Sequence, residues 1–167
     1  QKFISVEDDI VFKVAFEILY YLGTRIGELL AISWDCISFE KKELKIQRNV
    51  VKDYFGNKGY LITTPKTRSS IRTIPIPEIL LNDLKLLKEH QKSMYGFKEK
   101  WFILGSFEPI SRDRIRLRKN RNCELAGVKQ IRIHDFRHST ASLLISKGAN
   151  ITLVAKYLGH SKLEQLL

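Results

Sequence analysis

The residues best suited to chemistry crowd into one stretch, Ile131 to His160, reading IRIHDFRHSTASLLISKGANITLVAKYLGH. His134, Arg137 and His138 fall within about one and a half helical turns, and His160 closes the stretch. A helix beginning at Asp135 would put His134 and Arg137 near its N-terminus, where free N–H groups and the helix dipole attract an anion. Two imidazoles and a guanidinium gathered there suit a phosphate. A metal is the competing chemistry, since His134 and His138 have the i,i+4 spacing of a zinc-binding helix. Against it, Asp135 is one methylene short of the usual glutamate base, and no third ligand follows unless Glu164 serves. Arg137 between the imidazoles also repels a divalent cation. A metal is therefore not expected.

Further cations sit in separate segments. Arg25 follows the break at Gly23 and opens a new helix, with Glu28 at i+3. A surface ion pair is the ordinary reading of that spacing, but a helix start between two apolar segments is also well placed to aim a charge into a cleft. Lys66 falls in PKTRSS, at the tip of a hairpin. A turn lysine is commonly solvated, yet a flexible tip can deliver an ammonium to a substrate arriving from outside. From Ser111 to Gly127 the chain carries Arg112, Arg114, Arg116, Arg118, Lys119 and Arg121 against Asp113 and Glu124. Such a run is a solvated face or a contact with a phosphate backbone, and its density favours the backbone. Cleaving a phosphodiester requires positive groups on the non-bridging oxygens, a proton donor for the leaving oxygen and a positioned nucleophile. Arg25 and Arg137 supply forked guanidiniums, Lys66 a donor, and His134 and His160 groups that hold or exchange a proton near neutrality.

The elements that must carry these groups can be placed from periodicity. Ser5 with Asp8 suggests a helix start, and Val11, Val14, Ala15, Ile18, Leu19 and Leu22 form one apolar stripe that Gly23 ends. Thr24 is the expected cap of the next helix. Leu44, Ile46 and Val50 lead into a turn at GNKG (56–59), with further strands at 60–63 and 71–76, where Ile71, Thr73 and Pro75 alternate with Arg72, Ile74 and Ile76. Glu78 to Tyr95 reads as an amphipathic helix with Ile79, Leu80, Leu84 and Leu87 inward, and Trp101–Leu104 as core. Asn150 caps a last helix that Gly159 stops. The 167 residues, 44% of them hydrophobic, are enough for one core. The fold expected is a single α+β domain, mainly helical, with a small three-stranded antiparallel sheet. A net charge of +11 favours a polyanionic partner over a neutral metabolite or an acidic protein. No apolar run approaches membrane-spanning length and no secretory segment leads the chain, so no membrane association is expected. Cys36 and Cys123 are isolated, as in reduced cytoplasmic proteins.

The segments LGTRIGELLAISWDCI, PKTRSSIRTIPIP and IRIHDFRHSTASLLISKGANITLVAKYLGHS, in that order, resemble the catalytic domain of tyrosine recombinases (the phage integrase family). The resemblance is nearest to integrases of phages and conjugative transposons of Gram-positive bacteria. It implies that residues 1–167 are such a domain, acting on double-stranded DNA in the bacterial cytoplasm, at the nucleoid, without metal or nucleotide. It implies roles too. Arg25 and Arg137 would stabilise the pentacoordinate phosphorane, Lys66 would protonate the departing 5′-hydroxyl, and His134 would assist proton transfer with the nucleophile. His160 would bond the scissile phosphate and Glu28 would orient Arg25. Arg68, Arg112, Arg114, Arg118 and Arg121 are expected on DNA. Leu22 stands where relatives often have threonine. In the family a tyrosine attacks to give a 3′-phosphotyrosyl intermediate, and it lies roughly ten residues, or about three helical turns, beyond the late histidine. The chain as given ends at Leu167, and its own six tyrosines match no nucleophile position. The chain alone is thus expected to hold DNA weakly without cleaving it, as a monomer, while relatives assemble as tetramers on DNA. Relaxation of DNA in the manner of a type IB topoisomerase, and a non-catalytic DNA-binding module, remain open alternatives.

Overall fold

The computed structural model describes residues 2–56, 59–65 and 70–159. Its helical half begins with α1 (Lys2–Ser5) and α2 (Ile10–Glu17), which runs on through a π-helical turn, Ile18–Leu22. Asp9, and not Ser5, caps α2: its carboxylate accepts from the Val11 N–H at 2.8 Å, whereas the Ser5 hydroxyl closes α1 on the Lys2 carbonyl. Val14, Ala15, Ile18, Leu19 and Leu22 are all buried, and each such aliphatic side chain larger than alanine contributes about 1.5–3 kcal/mol. Gly23 ends the stripe at φ +59°, and a Cβ there would lie 2.5 Å from Leu158 Cδ2. Only glycine allows both that backbone and that approach.

The short helix α3 (Ile26–Leu30) is capped one residue later than expected. Glu28 reaches back to the Arg25 N–H at 2.9 Å, while Thr24 is buried, with no hydrogen-bond partner for its hydroxyl among the described residues. The strands also divide differently. β1 (Ile37–Ser38), β2 (Glu43–Ile46) and β5 (Arg72–Pro75) form the three-stranded antiparallel sheet, and β3 (Asn49–Lys52) pairs with β4 (Tyr60–Thr63) in a separate hairpin. The extended run 43–52 changes partner at Gln47–Arg48, where Arg48 donates to Asp35 Oδ1 at 2.8 Å and to Ser33. The expected alternation in β5 is present: Ile74 and Ile76 are buried, and Arg72 shares their face.

α4 (Glu78–Lys92) buries Leu80, Leu84, Leu87 and Gln91 along one stripe. Ile79 is 54% exposed, since it lies a residue out of phase with that stripe. Gln91 accepts from Trp34 Nε1 at 2.8 Å and donates to the Ile103 carbonyl at 3.0 Å, which locks the 101–104 segment onto α4. α5 (Arg112–Leu125), α6 (Ile133–Ser146) and α7 (Ile151–Leu158) complete the chain. Phe3, Phe16 and Phe136 join α1, α2 and α6, with ring centroids 4.9 and 5.3 Å from Phe3. Asn150 caps α7 by accepting from Thr152 N–H, and Gly159 ends it at φ +71°. Among the described residues no helix is long and apolar enough to cross a membrane.

Candidate phosphate-binding site

Four side chains from three elements meet at the C-terminal end of α7. Arg25 stands at the start of α3 and Glu28 one turn into it, Arg72 opens β5, and Arg137 lies in the second turn of α6. Glu28 is buried and accepts from the Arg25 N–H, from Arg25 Nη1 at 2.9 Å, and from both Nη1 and Nη2 of Arg72 at 3.0 Å. Burial alone would raise its pKa, but the hydrogen bonds and charge of Arg72, then of Arg25, hold the carboxyl below the usual range. It is therefore ionised at neutral pH.

The last three backbone carbonyls of the α7 turn are each taken by a different guanidinium. Arg72 Nε donates to Tyr157 O at 2.8 Å, Arg137 Nη2 to Leu158 O at 2.5 Å, and Arg25 Nη2 to Gly159 O at 3.2 Å. A helix C-terminus leaves its final carbonyls unpaired and carries the negative end of the dipole, so cations are favoured there. Arg137 Nη1 also donates to Gly23 O at 2.8 Å, drawing the end of the π turn into the same knot.

Among the described residues, the charges in this cluster do not balance. Three guanidiniums gather around one carboxylate, and Arg137 is 3% exposed. Burial, then the nearby charge of Arg25, pushes the Arg137 pKa down to about 9, with Glu28 offsetting part of the effect. It stays cationic at neutral pH, and an arriving anion would relieve the excess.

Sequence expectations meet this geometry unevenly. Arg25, Glu28 and Arg137 are brought together. α6 begins at Ile133 and not at Asp135, because Asp135 is its third residue and accepts from the Arg132 N–H at 2.8 Å. That carboxylate occupies the helix N-terminus, so the expected anion attraction comes from the guanidiniums instead. His134 is exposed in the first turn, its ring edge-to-face with His138 at 4.9 Å. Burial first, then His138 and Arg137, lower its pKa, leaving a neutral imidazole able to accept a proton at neutral pH. Among the described residues no group of three His, Cys, Asp or Glu is arranged to hold a metal. Lys66, Arg68, His160 and Glu164 lie outside the described residues. Tyr157 is half-buried, its hydroxyl donating to Tyr21 O at 3.1 Å with a pKa pushed up by burial to about 12. It is built into the fold.

The arginines of α5 divide. Arg112 and Arg114 are exposed. Arg118 is engaged by Glu7 and Asp8, and Arg121 by Asp8 at 3.3 Å. Spacing missed Arg72, although its place on the inward face with Ile74 and Ile76 was the available signal.

The model of the phage integrase family matches residues 2–166. The integrase of the Bacillus subtilis element ICEBs1 is 31% identical, matching 98% of this chain and 46% of its own length. A XerC-like tyrosine recombinase of Caldanaerobacter subterraneus is 34% identical over 90% of this chain and 43% of its own length. Among solved structures, the Tn1549 transposon integrase with transposon right end DNA shares the fold at a TM-score of 0.78 and 24% identity, covering 99% of this chain and 57% of that one. The chain thus spans about half of these proteins' lengths. With nearly every residue under the family's model, this chain belongs to the phage integrase family.

Proposed function

We propose that this chain is the catalytic domain of a site-specific recombinase that breaks and rejoins double-stranded DNA during integration and excision of a mobile element. The observation that carries the reading is the gathering of Arg25, Arg72 and Arg137 at the end of α7, since forked guanidiniums suit a phosphodiester. Arg25 and Arg137 grip the non-bridging oxygens and stabilise the charge that builds on them as the phosphorus becomes five-coordinate. Glu28 orients Arg25. His134, neutral and exposed beside the cluster, takes the proton from the attacking hydroxyl. In this reading Lys66 protonates the departing 5′-oxygen and His160 bonds the phosphate. In the intact protein the attacking group is a tyrosine, whose 3′-phosphotyrosyl bond stores the energy for rejoining.

The relatives support the same reading. They are named integrases and recombinases, and the Tn1549 integrase was solved with transposon end DNA. Arg68, Arg112 and Arg114 are assigned to the flanking DNA backbone, and Arg118 and Arg121 to the same face through their remaining N–H groups. On DNA the intact protein works as a tetramer. The test is a nicked suicide duplex carrying the element's end, incubated with the intact protein. Covalent protein–DNA adduct that vanishes in Arg137→Gln, and joint molecules between two duplexes, are the expected results. Salt-sensitive binding without adduct would overturn the reading, and relaxation without joint molecules would replace recombination by topoisomerase activity.

A further inference from the structure

We propose that Arg72 is a positioning residue that sets the register of the phosphate cradle while making no contact with the phosphate itself. The proposal rests on the recombinase reading for its consequence, but its geometry stands apart from that reading. Arg72 begins β5, its backbone paired with Ile46 of β2, so its base is fixed in the three-stranded sheet. Its side chain is 7% exposed. From there the guanidinium reaches three different segments. Nη1 and Nη2 hold both oxygens of Glu28 at 3.0 Å, Nε donates to Tyr157 O at 2.8 Å, and Nη1 donates to Ser70 O at 3.1 Å.

Each of those partners leads to a group assigned a role above. Glu28 holds Arg25 by its backbone N–H and by Nη1. Tyr157 stands three residues before His160, and Ser70 four residues after Lys66. Four of the five guanidinium donors are spent on these partners, so Arg72 acts through them. The close fit extends to Gly159: a Cβ there would lie 2.9 Å from Arg72 Nη1 and 3.2 Å from its Cζ and Cδ. A lysine cannot reproduce the arrangement. One ammonium on a flexible stem has no planar fork to span a carboxylate and two carbonyls at once.

The experiment places Arg72→Lys in the intact protein and measures two things. The first is single-turnover cleavage of the suicide duplex at saturating DNA, alongside DNA affinity. The expected result is a cleavage rate lowered by about 100-fold, the scale of an ångström of misplacement, with affinity retained. The second measurement is hydrogen exchange in the peptide covering residues 151–159, which should quicken in the variant. Wild-type cleavage in Arg72→Lys overturns the proposal, as does a fall of affinity in step with rate, which would make Arg72 a DNA contact or a general support of the fold. If the wild-type protein itself forms no adduct, the recombinase reading fails. Exchange then decides alone, and an unchanged 151–159 peptide overturns the positioning role.

Discussion

Two regions of this molecule are rich in arginine, and they use it in opposite ways. At the N-terminal corner, Arg118 and Arg121 of α5 face Glu7 and Asp8, and Asn122 adds a bond to Glu7 at 2.8 Å. Two guanidiniums meet two carboxylates, so each of these charges has an opposite partner. At the end of α7, among the described residues, three guanidiniums gather with Glu28 as their one carboxylate, Arg25 and Arg72 bonding it and Arg137 bonding the Leu158 carbonyl. The first arrangement docks α5 against the loop before α2. The second leaves positive charge held in a partly buried place, which is stable only because backbone carbonyls of α7 absorb part of it. A third place shows why the sign matters. Glu17, 2% exposed and close to Asp83, is a buried carboxylate whose pKa burial, then the Asp83 charge, raises to about 7. A carboxylate in that position sheds its charge by taking a proton. An arginine has no such exit near neutral pH, so its excess charge waits for an anion.

The largest effect that tests the contrast is on chemistry. Arg137→Gln should lower suicide-duplex cleavage by the intact protein by about 10³-fold, while Arg118→Gln at saturating DNA should leave the rate close to wild type. Comparable losses in both would erase the distinction. Stability comes next. Glu28→Gln strips the counter-charge from the cluster and should cost about 3–5 kcal/mol in chloride buffer, partly restored by sulfate. Glu7→Gln should cost a similar amount with no restoration, as read from urea titrations in the two salts. Gly159→Ala, forced to φ +71° against Arg72, should cost about 1–3 kcal/mol.

Smaller still is the pH dependence set by Glu17. Its folded pKa lies above the unfolded 4.5, so its contribution is complete below about 4.5 and is lost as pH rises through about 7. Glu17→Gln should flatten that slope, removing a change on the order of 1–2 kcal/mol between pH 5 and 8. The smallest effect is expected at the exposed end of α5. Arg112→Gln or Arg114→Gln should each reduce the salt slope of DNA binding by about one, and no change in slope would remove them from the interface.

Much of the scaffold was legible because periodicity reports burial. The 11–22 stripe, the alternation in β5, the stop at Gly23 and the cap at Asn150 all follow from which side chains must face the core. The strand pairing was not, since a continuous extended run looks the same whether it serves one sheet or two. The site divides in the same manner. Arg25 and Glu28 at i,i+3 announced an ion pair, and the structure makes that pair part of a cleft because Arg72 arrives from 44 residues away. Pairings of that reach leave no local trace. The α5 corner is the mirror case: Glu7 lies 111 residues from Arg118, so the α5 run read as a face for a phosphate backbone when part of it is matched by carboxylates.

The central claim is that the guanidinium excess at the end of α7 is a seat for one phosphate-like anion. Thermal unfolding of this chain in sulfate against chloride at equal ionic strength tests it most directly, because an anion that binds only the folded state raises the melting temperature. The account predicts a sulfate-specific rise in the wild type that disappears in Arg25→Gln and Arg137→Gln and persists in Arg118→Gln. A rise of equal size in all four proteins, or none beyond that of chloride, would contradict it.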